Sequence, residues 1–283
     1  MKFLHVFLIL LSSSCGERSS ELMKNSSNEM VVVDVSEIYQ SNDDFDNVEI
    51  LDRKKIVVDG SELEFVLIPG GVSKVKRFDN EYGILGYKTY WENLDSFWIS
   101  TKLVDQGLYQ KVIGSNPSLI VGDEYPIHNV GYTDAASFID KINIDAQLNN
   151  LDIEFSLPNE FEWLHAVTGG QDTSYYWGND FQDGADFEWL DYNDDRSGVL
   201  HPVATKKPNP YGIYDGIGNC VEFTDLVNPI KNTSGDDMHA VMGAYYLTNE
   251  SLAESFKQRF LAPKDEGKWS AGSFRLVLKD KKS

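Results

Sequence analysis

Few residues in this 283-residue chain are of types that do chemistry on their own. It has two cysteines, Cys15 and Cys220, and five histidines, His5, His128, His165, His201 and His239. Two cysteines are too few for a disulfide framework, so an exported chain would rely on its core. The histidines show no H-x-x-x-H or H-x-E spacing, the arrangements by which one element presents ligands to iron or zinc. No Ser-His-Asp set or phosphate-binding glycine loop is visible. His165 and His201 read as hydrogen-bonding, fold-supporting histidines. Cys220 reads as a small buried residue, because no basic or cationic residue adjoins it in sequence. Adjacent acids such as Asp194 and Asp195 have the composition of a solvated loop.

The charge balance narrows the partners. There are 45 Asp and Glu against 25 Lys and Arg, a net charge of −20. Nucleic acid requires a basic face to neutralise its phosphates, so it is not expected. Direct attraction to anionic lipid is disfavoured for the same reason. Divalent cations remain compatible. At 41% hydrophobic and 12% aromatic, the chain can bury a sizeable core.

The elements that would position these residues form one domain behind an address segment. Met1-Lys2, the apolar run Phe3–Leu11 and the small residues Ser12–Ser14 predict a signal peptide over 1–14, too short to span a bilayer as a mature helix. Cys15 follows at once. Its placement resembles a bacterial lipoprotein signal, in which this cysteine becomes the lipidated first residue. Ser12 stands where leucine is usual, and ordinary secretion is the alternative. Multiple acyl chains on Cys15 would anchor the protein to a membrane of the cell envelope, periplasmic or outer-membrane. Residues 15–30 are polar and Ser-rich and read as a lipidated, flexible tether. Residues 31–60 read as a peripheral extended segment, and 61–280 as the domain.

Within that domain, EFVLIP (64–69) and Phe97–Ser100 read as strands. Val104, Leu108 and Val112 recur at helical spacing, with Gly114 as the stop. Ala135, Phe138, Ile139 and Ile142 mark a second helix, capped by Thr133 or Asp134. A third helix starts at Asn159, with Glu162 completing a capping box and Trp163, Ala166 and Val167 as its buried side. Beyond Gly169-Gly170 the composition predicts long ordered loops pinned by aromatic rings.

In this order, the pieces resemble the formylglycine-generating enzyme, or sulfatase-modifying factor, family. FVLIPGG (65–71) resembles its opening strand and SFWISTKLVDQGLYQKVIGSNPS (96–118) its first-helix region. YPIHNVGYTDAASFIDKIN (125–143), SLPNEFEWLHAVTGG (156–170) and YWGND (176–180) resemble the segments that follow. HPVATKKPNPYGIYDGIGNCVEFTD (201–225) resembles the stretch ending in the family's GNVWEW, and GSFRLV (272–277) its terminal GFR. The resemblance implies an α+β, C-type-lectin-like fold with few regular elements. It also implies a structural calcium held by the side chains of Asp215 and Glu222 and the carbonyls of Gly218 and Cys220. The alternative is that both acids cap loop N–H groups without metal. A second calcium site is implied near WLDYNDD (189–195).

The sequence also departs from the family's pattern. SKVKR (73–77) stands where Met-Gly is usual, and MGAY (242–245) replaces RGGS. Family enzymes oxidise a substrate cysteine on Cu(I) held by two late cysteines, and this chain has none there. No copper is expected. The expectation is a catalytically degenerate, membrane-anchored binding or scaffold module whose partner is an envelope protein or surface ligand. An enzyme of another class on the same fold, using non-haem iron or acting on glycans, is the alternative.

Overall fold

The computed structural model describes residues 30–35, 51–81, 84–191, 199–264 and 267–280. Cys15, the signal segment, the tether up to residue 29 and the Asp194-Asp195 pair lie outside them, whereas Met30, expected as the tether's last residue, is a buried core residue. The strands in chain order are β1 (Met30–Val35), β2 (Arg53–Val58), β3 (Ser61–Ile68), β4 (Gly71–Glu81), β5 (Ile84–Leu94), β6 (Phe97–Ser100), β7 (Ile153–Ser156), β8 (Val221–Thr224), β9 (Met238–Met242), β10 (Gln258–Pro263), β11 (Gly272–Ser273) and β12 (Val277–Asp280). They build two sheets, ordered β1-β2-β3-β6-β12-β7 and β11-β8-β9-β10-β4-β5. The first is antiparallel throughout. The second has parallel pairings at β4–β10 and β8–β11.

The helices form where the apolar spacing predicts them, though the second starts a residue earlier and has Gly131, not Thr133 or Asp134, at its N-cap. In α1 (Gln106–Ile113) the Asp105 carboxylate accepts the Leu108 N–H at 2.8 Å, and Gly114 closes the helix at φ 87°. Val104 lies before that helix yet is still buried. In α2 (Tyr132–Leu148) Asp134 accepts the Gly131 N–H at 2.9 Å. In α3 (Glu160–Thr168) Asn159 and Glu162 make the full capping box, each accepting from the other's end of the first turn. A four-residue α4 (Glu250–Ala253) completes the set.

Strand β3 is buried on both faces and divides the core. Leu63 and Phe65 point to a cluster with α1 and α2 that includes Phe138, Phe155 and Phe274. Val66 and Ile68 point to a second cluster around Trp163 and Val167 of α3. Residues of alternating parity on one strand therefore tie both halves together.

The N-terminal boundary differs from the expectation. Residues 53–58 are not peripheral. They form β2, paired along its length with β3, and Ile56 and Val58 are core residues. The sequence carries the signal in Asp59-Gly60, whose φ values of 47° and 74° make the two-residue turn joining β2 to β3. Asp-Gly suits such a turn because both positions need positive φ. The sheet thus begins well before residue 61. Between Gly170 and β8 the described residues hold one short 3-10 turn, at Gln182–Asp186, with Tyr175, Trp177 and Phe187 stacked face to face at 4.7 and 6.2 Å, as the loop expectation has it. Beyond that stretch five strands and α4 replace the expected loops.

Candidate binding site

The loop 214–222 joins the two clusters, and a buried arginine fixes it. Arg275 is fully buried between β11 and β12. Its Nε and Nη2 donate to the two Glu222 carboxylate oxygens at 2.7 and 2.8 Å. Nη2 also donates to the carbonyls of Tyr214 and Asp215 at 3.1 and 3.2 Å. A planar guanidinium is suited to this work, since its fork matches a carboxylate and leaves N–H groups for carbonyls.

Three further carboxylates and amides complete the frame. Asp215 sits at φ 48° and its Oδ2 accepts the Ala204 N–H at 2.7 Å. Its Oδ1 is buried and makes no hydrogen bond, although the Asn219 amide lies close enough to lower its pKa. Burial nonetheless pushes Asp215 up to about 6. Glu188 accepts the N–H groups of Ile217 and Gly218, both at 2.9 Å, and the Tyr176 hydroxyl at 3.0 Å. Burial, and then the Asp215 charge, push it up to about 7. Asn219 brackets the backbone of His201 at 3.1 Å on both sides, and the His201 ring stacks on Trp189. Sequence reasoning missed Glu188, which sits in an aperiodic loop. It also missed the role of Arg275, although the FR pair at 274–275 was legible.

The four residues expected to hold calcium do lie together on this loop. As arranged, they do not fit a calcium shell. Calcium takes six to eight oxygens, including unshared carboxylates. Both Glu222 oxygens are engaged by Arg275, and the Gly218 carbonyl accepts the Cys220 N–H at 2.8 Å. Only Asp215 Oδ1 is a free anionic oxygen. Among the described residues, no group of three His, Cys, Asp or Glu side chains converges on one point. Copper fares no better. Cys220 is fully buried, has no thiol partner, and burial drives its pKa well above the usual thiol value. A thiol held protonated is neither nucleophile nor metal ligand.

Above this frame lies an open cleft of about 520 Å³, lined by Val221, Tyr245, Lys268, Trp269, Ser270 and Ala271. Its floor hangs from the loop: Ala244 N–H donates to the Ile217 carbonyl at 2.7 Å, and Val221 N–H to Ala271 at 3.0 Å. Trp269 is half-buried, edge-on to Phe223 at 6.2 Å, while Tyr245 is 38% exposed. Gly272 makes this packing possible, since a Cβ there would stand 2.7 Å from both Phe223 Cζ and Trp269 Cβ. Two aromatic rings, an ammonium and a hydroxyl line the opening.

His239 lies nearby, buried between Tyr132 at 4.8 Å and Phe223 at 5.4 Å. Neither ring nitrogen has a hydrogen-bond partner, and burial lowers its pKa to about 4. His165 Nε2 donates to the Pro69 carbonyl, 3.0 Å away, in the part of the molecule that forms the second cleft. Among the described residues, the histidines are thus dispersed rather than gathered.

No helix among the described residues is long and apolar enough to cross a membrane. Comparison with known proteins agrees with the architecture. The chain is 26% identical to the chaperone protein LppX of Paenibacillus barcinonensis, across 68% of this chain and 81% of that one. It is 25% identical to the inactive C-alpha-formylglycine-generating enzyme 2 of Bos taurus, across 65% of this chain and 63% of the bovine protein, less than two thirds of its length. The solved Treponema denticola variable protein 1 superposes with a TM-score of 0.63 at 22% identity, over 80% of this chain and 98% of that one, a likeness of fold. The family model described as sulfatase-modifying factor enzyme 1-like domain matches residues 54–279, and the chain belongs to that family.

Proposed function

We propose that the protein is a lipid-anchored envelope lipoprotein whose domain binds a protein partner through the Tyr245–Trp269 cleft, without formylglycine-generating activity. The observation that carries this reading is a solvent-facing aromatic pair mounted on a rigid, ion-paired floor that holds no activated nucleophile and no thiol pair. Aromatic side chains anchor protein interfaces because they bury a large area at little entropic cost. Similarity to a chaperone and to an inactive enzyme supports binding in place of catalysis. The signal segment and Cys15 support export and anchoring.

The test is site-specific photo-crosslinking in intact envelopes from a benzoylphenylalanine placed at Tyr245. The expected result is one dominant cross-linked protein, lost or reduced at least 10-fold on Trp269→Ala. Diffuse labelling, or labelling that ignores Trp269→Ala, would overturn the cleft as the interface. Cys15→Ser should release the protein from the membrane fraction.

Calcium takes a subordinate place. We infer that Arg275, and not calcium, is the cation that neutralises Glu222. A tightly bound calcium in purified protein, found by elemental analysis after exhaustive dialysis, would overturn that inference.

A further inference from the structure

A second cleft, of about 390 Å³, lies between β4 and the C-terminal end of α3, away from the aromatic one. Its chemistry runs against the rest of the molecule. Three lysines, Lys74, Lys76 and Lys257, line it, with a single carboxylate, Asp172, in a chain that carries 20 more acids than bases. Two of the lysines come from SKVKR (73–77), where the sequence departs from its family's usual Met-Gly.

Strand pairing brings the two chain segments side by side, and both lysines line the one cleft. β4 and β10 pair in parallel with Lys76 opposite Gln258, so Lys257 is one residue from direct register with Lys76. Lys257 is half-buried and donates to the Thr173 carbonyl at 2.9 Å. Burial lowers its pKa, Glu254 opposes that, Lys76 adds to it and Asp172 opposes it. Lys74 stands 3.8 Å from Asp172, whose carboxylate is fully exposed, and 4.8 Å from the Trp91 ring. Among the described residues, no ion pair involves Lys76. The Thr89 hydroxyl and the Gln171 amide lie in the same cleft.

Like charges lining one cleft repel, and a fold gains nothing from leaving them uncompensated. Nearby on the same sheet, Arg77 and Arg259 show the compensated alternative: both reach the buried Glu160, at 2.6 and 3.3 Å. We propose that the Lys76–Lys257 cleft is a binding site for a monosaccharide-sized ligand carrying a phosphate, sulfate or carboxylate group. The lysines pair with the anion. Thr89 and Gln171 bond the polar body. The volume is at the lower end of the range for small-molecule sites, larger than a bare oxyanion requires.

Isothermal titration of the folded domain with glucose 6-phosphate, glucose 6-sulfate and glucuronate tests this, with glucose and inorganic phosphate as comparators. At least one anionic sugar should bind 10-fold or more tightly than glucose, and more weakly as salt is raised. Lys76→Glu should abolish that binding, and Lys257→Met, which keeps the stem, should weaken it at least 10-fold. Lys231→Ala, at a distant exposed lysine, should leave it unchanged. Inorganic phosphate binding as tightly as the sugar phosphate would support the anion site and assign its affinity to the oxyanion alone. No binding of any anionic probe by folded protein, or binding indifferent to Lys76→Glu, would overturn the proposal. Trp269→Ala should not alter this titration, so it stands or falls separately from the aromatic cleft.

Discussion

Beneath the aromatic cleft, the Arg275 guanidinium meets the two oxygens of Glu222 and the carbonyls of Tyr214 and Asp215, all out of water. In the lysine cleft, Lys76 is exposed, makes no ion pair among the described residues, and shares the lining with Lys74 and Lys257. The first arrangement spends its charge inside the fold. Each donor has an acceptor, and the result is a fixed loop on which other side chains can be mounted. The second leaves charge to be met from outside. Paired buried charge in this protein is architecture, and unpaired charge in a cavity is an invitation to a ligand.

The comparison breaks most readily at Arg275. Arg275→Met should lower unfolding free energy by roughly 3–5 kcal/mol, because it leaves Glu222 buried without a counter-charge. Urea denaturation measures this, and Arg275→Met combined with Glu222→Leu should recover much of the loss. If the single variant costs under about 1 kcal/mol, the pair is not what fixes the loop.

A smaller effect should follow pH. Glu188, raised to about 7, keeps its proton in the folded state where the unfolded chain has released it. Stability therefore falls as pH rises from the ordinary carboxylate range to about 7, by on the order of 2–3 kcal/mol. Asp215, raised to about 6, acts in the same direction up to that pH. His239, lowered to about 4, acts oppositely, since the unfolded chain takes up a proton between about pH 6.5 and 4 that the folded protein refuses. His239→Phe should remove the opposing contribution. Denaturation of that variant between pH 4.5 and 7.5 should show stability declining throughout, and a flat profile would refute the assignment.

Lys76→Met sharpens the contrast from the other side. A side chain with no partner contributes little, so stability should change by less than about 0.5 kcal/mol. A loss above 1 kcal/mol would mean that Lys76 has a structural role. The smallest expected effect is that of chelation. EDTA should shift the melting temperature by under about 1 °C, since Arg275 already neutralises Glu222. A large downward shift would restore calcium to the loop.

Much of the framework was legible from residues alone. Asn159 and Glu162 announce a capping box, and Gly114 a helix stop, because both depend on neighbours a few positions apart. The extended character of residues 53–58 was legible, but their place in the sheet was not. Their pairing with β3 depends on Asp59-Gly60 being taken as a hairpin turn. The expected ligand residues Asp215, Gly218, Cys220 and Glu222 share a loop, as their short spacing requires. What occupies Glu222 was invisible, because Arg275 lies 53 positions away.

Local signals determined the helices, their caps, the aromatic-pinned loops and the absence of a late thiol pair, since spacing and composition act over a few residues. Tertiary structure decided that Glu188, Asp215 and Glu222 share one buried frame. It also decided that Tyr245 meets Trp269 at a cleft and that Lys76 stands beside Lys257. Those meetings join residues far apart in sequence, and strand pairing and core packing set the distances on which charge and affinity depend.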